Sequence, residues 1–443
     1  MQAQDPIEKQ LKQKSRQFRQ RGEKKMSRLV VMCVDALFTT DLEDAARMEG
    51  FAAIMDHAGI YKNIECVYPT LTYPCHATIM SGCWPERHGI CHNEKLDPGT
   101  NNREWYWNYK DLTVKTIFDY AKENNLTTAA FEWPVTAGAE IDYMIPEMWT
   151  YDHTPDMREV LLPNSSPAMK EIYEKNCHIM NWKENPRFDS FQVQCAVDII
   201  HRYKPDVLFM HQSHLDHTRH VYGLHAPEVQ EALRLHDGWI RQVIEALKEE
   251  ELFEDTTFII LGDHGHLQVD YNICPNVLLA REGIVRTDGA GNIREWDAYI
   301  QSCGISAQVY IKKQEAEGIV LRLLGDLKDL GYVRDIFTKE EVKEKFHLDG
   351  EFSYMIEAAP NYAFGNAACG DLLAGTDTTD YKYSVATHGH LPARGDKPCF
   401  IVRGAGVPEG VFEGARLVDE APTMMKILGL SYGEGEMDGA PLF

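Results

Sequence analysis

The sequence predicts an α/β protein with a mostly parallel central sheet, helices on both faces and a smaller inserted cap. Three observations lead there. Short β-branched apolar runs alternate with helix-spaced stretches over residues 28–261, as strands joined by crossover helices do. Several of those runs end directly in Asp or His. The alternation stops after Gly265 and resumes near residue 385, so residues 266–384 read as an insertion.

Each element follows from its local pattern. RLVVMCVD at 28–35 is apolar on both faces and ends in an acid, as a buried parallel strand does. Residues 39–59 carry helix-spaced apolar positions between a Thr39/Thr40 cap and a stop at Gly59. A helix at 112–124 then precedes a strand at 126–131, and a helix at 190–203 precedes a strand at 206–210. A long helix at 227–250 precedes TTFIIL at 256–261. Within the insertion, helices are expected near 314–330 and 339–346. PCFIV at 398–402 reads as a returning strand and 421–428 as a last helix. The expected organisation is a basic extension at 1–25, a core formed by 26–265 and 385–443, and a cap at 266–384.

Composition narrows the function. The net charge is -23, although residues 1–28 hold nine Lys/Arg against three Asp/Glu. The remaining body is therefore strongly acidic and repels nucleic-acid backbone and anionic membrane, so neither is an expected partner. The 11 cysteines form no C-x-x-C pair, which fits a reducing compartment. No run of 18 apolar residues exists and the N-terminus lacks a signal-peptide core, so the expected location is the cytoplasm.

Four separated segments place chemistry at strand ends, where α/β sheets gather their ligands. Asp35 follows LVVMCV, and Asp216 and His220 lie just beyond VLFM. Asp263 and His264 follow TTFIIL, and His388 lies in THGHLP. Each residue alone reads as a cap, turn or surface group. Together, three carboxylates and three imidazoles suit two borderline-soft divalent ions, most naturally zinc, with Mn2+ as the alternative. A fifth segment, PTLTYPCHATIMSGCWPERHGICHN at 69–93, puts Thr72 just before a helix expected at 76–81. A hydroxyl there gains from free backbone N–H groups and from a neighbouring metal. By position alone Thr72 reads equally as a helix cap.

That fifth segment resembles the nucleophile motif of the type I phosphodiesterase/nucleotide pyrophosphatase family, in the alkaline phosphatase superfamily. The matching residues are Pro69, Thr70, Thr72, Tyr73, Pro74, His76, Ser81, Gly82, Pro85, His88, Gly89, Ile90 and Asn93. The resemblance continues through Asp216, His220, Tyr222 and Gly223, through 262–265, and through His388 and Gly389. FEWP at 131–134 resembles a family segment more weakly. It implies an alkaline-phosphatase-like core and Thr72 as covalent nucleophile. It implies one zinc on Asp35, Asp263, His264 and Thr72, and a second on Asp216, His220 and His388. Asn93 would bind a phosphoryl oxygen, and Tyr73 would pack on the substrate. His390 is the rival of His388. His211, His217 and His266 read as supporting or surface residues, and His214 as one that could touch substrate.

The implied activity is cleavage of phosphodiester or phosphoanhydride bonds, through a phospho-threonine intermediate, on a small phosphodiester or nucleotide. Asn93 favours a diester: it offers a neutral donor where a monoester dianion favours a bidentate Arg. A phosphonoacetate-hydrolase-like or phosphomonoester hydrolase on the same core is the alternative, and a non-catalytic binding protein the remote one. A sulfatase needs C-x-P-x-R or S-x-P-x-R, and Cys75 is followed by His-Ala-Thr. Cys75 replaces a frequent Asn, and His214-Leu215 a frequent acidic-Pro pair. Pocket candidates are Trp105, Tyr106 and Trp107, with Tyr271, Trp296, Tyr354 and Tyr362 in the cap.

Overall fold

The computed structural model describes residues 28–100, 103–149, 156–181 and 186–443. The expected extension at 1–25 lies outside them. The central sheet has eight strands. Across it run Gly410–Phe412, Gly59–Tyr61, Phe400–Arg403, Thr256–Leu261, Arg28–Val34, Val207–Gln212, Thr128–Phe131 and Tyr143–Ile145. All neighbours are parallel except Phe400–Arg403, which runs against both of its partners.

Arg28–Val34 is buried throughout because both of its faces are covered. Val30, Met32 and Val34 join the apolar layer that includes Phe51, Phe191 and Ile240, on the helices Glu49–Met55, Arg187–Tyr203 and Pro227–Glu249. Leu29, Val31 and Cys33 join the opposite layer, with Ile79, Phe118 and Met424 on Thr72–Ser81, Ile117–Glu123 and Glu420–Leu428. This alternation explains the unbroken apolar run in the sequence. It also puts the carboxyl ends of Arg28–Val34, Thr256–Leu261, Val207–Gln212 and Thr128–Phe131 on one edge.

Two expected elements differ. The helix expected over 39–59 is a 3-10 turn, Thr39–Asp41, and two short helices, Leu42–Ala45 and Glu49–Met55. Asp41 is drawn inward: it accepts from the Phe38 N–H at 2.7 Å and from Arg219 at 2.6 Å. Met48 then turns extended (φ -98°, ψ 142°), and Gly59 opens a strand instead of ending a helix. The helix expected at 76–81 begins four residues earlier, at Thr72. Pro74 falls in its first turn, where a missing N–H costs no helical bond.

Between Gly265 and His388 the chain builds separate sheets. Ala298–Ser302, Ser306–Ile311, Tyr354–Ala358 and Val333–Thr338 form one antiparallel sheet in that order. Leu267–Ile273 pairs with Asn361–Phe364, Leu373–Ala374 and Ala386–Thr387. Val269, Ile300, Val309, Leu324, Ile356 and Phe364 share their own apolar cluster here. The helices expected in this stretch are Glu317–Asp329 and Lys339–Phe346. Thr338 and Glu341 form a capping box on the second.

These sheets also grip the core loop that carries Asn93. Gln308 donates to the Cys91 carbonyl at 2.8 Å, and His92 contacts the Ser302 carbonyl at 3.1 Å. Lys382 reaches Glu94 at 2.7 Å, with both side chains almost fully buried. Burial pushes the Glu94 carboxyl up, but Lys382 and Arg103 outweigh it and hold the group at about 2. The stabilisation is therefore present above the ordinary carboxylate range and lost as pH falls toward about 2. Lys382→Met is expected to destabilise the fold by about 3–5 kcal/mol near neutral pH, with the deficit shrinking as pH falls toward about 2. Denaturant titrations of both proteins over a pH series check this, and a deficit that does not change with pH would contradict it.

Candidate active site

The strand-end residues converge. Asp35 follows Arg28–Val34, and Asp263 and His264 follow the neighbouring Thr256–Leu261. Asp216 and His220 lie on His214–Tyr222, which follows Val207–Gln212 on the other side of Arg28–Val34. His388 directly follows the Ala386–Thr387 strand. Thr72 is the first residue of its helix, and its Oγ1 lies 3.1 Å from His264 Nε2.

Two glycines make this approach possible. A Cβ on Gly265 would stand 1.9 Å from the Asp396 carbonyl, and one on Gly389 1.8 Å from that of Cys303. Gly389 also has φ +83°. The glycine after each His in D-H-G and H-G is thus a close-approach residue that lets the imidazole-bearing turn pack down.

The three carboxylates share one arrangement. Each has one oxygen held by a supporting donor and the other facing an imidazole. Asp35 Oδ2 lies 3.0 Å from His211 Nε2, while Oδ1 lies 3.4 Å from His264 Nε2. Asp263 Oδ1 accepts from the Ala36 N–H at 3.1 Å, while Oδ2 lies 3.3 Å from His264 Nε2. Asp216 Oδ1 lies 2.6 Å from His266 Nε2, while Oδ2 lies 3.3 Å from His220 Nε2. Asp35 Oδ1, Asp263 Oδ2 and His220 Nε2 are buried without a hydrogen-bond partner. His220 Nδ1 donates to the Ala386 carbonyl at 2.7 Å, which fixes Nε2 as the available nitrogen.

These orphaned atoms fit divalent cations. Metal bonds near 2.05 Å at a tetrahedral angle put two ligands about 3.4 Å apart, which matches all three carboxylate–imidazole separations. Two sets emerge, one of Asp216, His220, His266 and His388, and one of Asp35, Asp216 and His264. Burial pushes Asp35 and Asp263 well above the usual carboxylate range, and neighbouring carboxylates add to this. Burial pushes His264 and His388 well below the usual imidazole range. Neutral imidazoles are the ligand form, and a nearby cation reverses the penalty on the acids.

Asn93 is buried and accepts from the Tyr73 N–H through Oδ1 at 3.0 Å. With its oxygen committed, the amide's function toward a ligand is donation. Tyr73 differs from the expected substrate platform. Its ring is fully buried and lies edge-on to Trp105 at 5.3 Å. The helix register turns the residue after Thr72 into the core layer. Of the other expected pocket rings, Trp105 and Trp107 are largely buried around Trp149. Tyr271, Trp296, Tyr354 and Tyr362 find partners within the insertion.

His214 contacts His236 and Trp239, at 6.4 and 6.3 Å between ring centroids, not the metal-type cluster. His390 bonds the Leu391 carbonyl through Nδ1 at 2.8 Å, while His388 lies 5.1 Å from His220. Two contributors carry no assigned role in the sequence analysis. Tyr381 stacks on His388 at 5.3 Å and 15°. His76 bonds the Thr72 carbonyl at 2.8 Å and lies 3.5 Å from Asp263 Oδ2. The i+4 spacing of His76 from Thr72 was the available clue to its placement.

The profile of a family described as type I phosphodiesterase / nucleotide pyrophosphatase matches residues 29–392. Human ectonucleotide pyrophosphatase/phosphodiesterase family member 1 is 27% identical over 215 residues, which is 46% of this chain and 20% of that protein. Venom phosphodiesterase of Macrovipera lebetinus is 23% identical over 261 residues, 53% of this chain and 26% of that one. The chain therefore spans a fifth to about a quarter of the length of these relatives. Murine ectonucleotide pyrophosphatase/phosphodiesterase 5 has a similar fold, with a TM-score of 0.64 at 18% identity, over 93% of this chain and 97% of that one. Its inactive threonine-to-alanine variant in complex with AMP gives 0.64 at 18% identity, over 94% and 97%.

Proposed function

Because the chain belongs to the type I phosphodiesterase / nucleotide pyrophosphatase family, we propose that it is a metal-dependent hydrolase of phosphodiester or phosphoanhydride bonds in small nucleotide-like substrates. The observation that carries this is the Thr72 hydroxyl, at a helix N-terminus and 3.1 Å from His264, beside carboxylates with orphaned buried oxygens. Asp35, Asp263, His264 and Thr72 would hold one divalent ion, and Asp216, His220 and His388 would hold the other, with zinc as the metal. When bound, the two ions supply positive charge that favours the threonine oxyanion and offsets charge on the phosphoryl oxygens.

The chain's residues do the rest. The Thr72 oxygen attacks phosphorus in line with the leaving oxygen. The bond to the leaving alcohol or phosphate breaks as the Thr72–phosphorus bond forms. Water then attacks phosphorus from the vacated side and restores Thr72. Asn93 donates to a non-bridging oxygen, and its position is set by the Tyr73 N–H. The 266–384 segment acts as a cap that completes the site through Tyr381 and holds the Asn93 loop through Ser302, Gln308 and Lys382. The eleven free thiols support a reducing location for this chemistry. No helix among the described residues is long and apolar enough to cross a membrane.

A zinc-loaded panel tests the reading with p-nitrophenyl thymidine monophosphate, p-nitrophenyl phosphate, a dinucleotide pyrophosphate and phosphonoacetate. The expected preference is for the diester and the pyrophosphate. Asn93→Ala is expected to lower kcat on the diester by about 10²-fold, as loss of one oxyanion donor does. A preference for the monoester or the phosphonate refutes the diester assignment and leaves the metal chemistry standing.

A further inference from the structure

The four-residue set around Asp216 poses a question of chemistry. Asp216, His220, His266 and His388 all bring ligand-type atoms within 4.8 Å of one another. Four protein ligands would close a tetrahedral site, whereas catalytic sites keep a position open. One of the four therefore has another task, and the distances single it out.

Two ligands on one ion stand about 3.4 Å apart, from bonds near 2.05 Å at a tetrahedral angle. Asp216 Oδ2 and His220 Nε2 are 3.3 Å apart, as are Asp263 Oδ2 and His264 Nε2. His266 Nε2 is only 2.6 Å from Asp216 Oδ1. Sharing an ion at that separation would compress the ligand–metal–ligand angle to about 80°. It is instead the length of a strong hydrogen bond to a carboxylate. We propose that His266 is a positioning residue: it donates from Nε2 to Asp216 Oδ1 and leaves Oδ2 as the single coordinating oxygen.

The surroundings support this task. His266 is fully buried and packed among rings, with Phe38 at 6.2 Å, His220 at 4.6 Å and His388 at 5.3 Å. Among the described residues its Nδ1 has no hydrogen-bond partner, and Nε2 carries its polar engagement. The other two carboxylates are handled alike, Asp35 by His211 and Asp263 by the Ala36 N–H. Asp216 would otherwise be the only one of the three with both oxygens free to swing. It also belongs to both candidate sets, so its orientation decides where each set ends.

The inference rests on the two-metal reading of the site, and the test separates the two. Zinc-free wild type, His266→Leu, His266→Asn and His266→Gln are titrated with zinc against a chromophoric chelator of known affinity. Cobalt absorption spectra report the geometry, and circular dichroism of the zinc-free forms reports the fold. Gln can place its amide nitrogen near the Nε2 position, whereas the shorter Asn and the apolar Leu cannot supply that donor. The expected result is that one of two sites weakens by about 10–100-fold in Leu and Asn, as loss of an outer hydrogen bond does. Gln should return to within a few fold of wild type. Parental affinity at both sites in a folded Leu or Asn variant overturns the proposal. Equal loss in Gln also overturns it, because it marks His266 as a ligand. A wild type that takes up no ion overturns both this proposal and the two-metal reading, whereas parental binding in Leu and Asn overturns this one alone.

Discussion

Thr72→Ala is expected to lower turnover of a phosphodiester by about 10⁴-fold or more, the scale on which a covalent enzyme loses its nucleophile. The physical reason is local. Thr72 opens its helix and places Oγ1 3.1 Å from His264 Nε2. Among the described residues no other hydroxyl is placed in that contact: Thr70 is engaged with the Gly389 and His390 backbone, and Thr78 with His88. Thr72 is 7% exposed and its carbonyl is bonded by His76 on the same helix, so losing one hydroxyl should not disturb the fold. Asp35, Asp263 and His264 remain in the variant, so its zinc content should stay close to that of wild type. Thr72→Ser should recover part of the rate because it keeps the oxygen. Steady-state rates, zinc content by atomic emission and acid-quench trapping of a phosphorylated threonine check the set. A Thr72→Ala protein that still turns over the diester at a substantial rate would rule out the covalent route.

Metal removal should have the second large effect, on both rate and stability. Asp35 and Asp263 are buried, which raises their cost of ionisation, and a neighbouring carboxylate adds to it in each case, Asp216 for Asp35 and Asp35 for Asp263. Binding at about 1,000 times Kd contributes about 4 kcal/mol per ion to the folded state. Unfolding entropy of about 2.1 cal/mol/K per residue over 443 residues turns that into about 4 °C in Tm per ion. Chelation is therefore expected to abolish diester hydrolysis and to lower Tm by several degrees, both reversed by added zinc. Scanning calorimetry at fixed scan rate, with and without chelator, measures this. Activity that survives exhaustive chelation, with no change in Tm, would remove metal from the account. Asp35→Asn should weaken zinc binding without restoring the lost Tm, since it keeps the side chain's shape but removes its charge.

The readable part of this protein lies where chemistry is adjacent in sequence to a strong local pattern. Asp35 and Asp263 each end a run of apolar residues, and those runs form Arg28–Val34 and Thr256–Leu261, neighbours in one parallel sheet. A parallel sheet brings such ends to one edge whatever the loops do, so six metal-type side chains could be nominated from separate segments. Thr72 reads equally as a helix cap by position alone, and only the resemblance of its segment to a family motif singles it out. The helix expected at 39–59 has a real periodicity but is interrupted where Met48 turns extended, and at its start Arg219, 178 residues from Asp41, pairs with that side chain.

Other features needed the folded chain. The sequence placed Tyr73 beside the nucleophile, but helix register buries its ring against Trp105. Glu94 and Lys382 are 288 residues apart, and no pattern around either foretells a buried ion pair. Tyr381 reaches His388 only because the insertion folds back onto the core edge. His266 reads from the sequence as a supporting or surface residue, and its distance to Asp216, 50 residues away, favours the supporting role. Periodicity and strand-end position report backbone path and burial, so fold class and the set of chemically able residues follow from them. Which oxygen is held, which ring is buried and which charges pair depend on packing between distant segments, where differences of less than 1 Å separate a hydrogen bond from a shared metal.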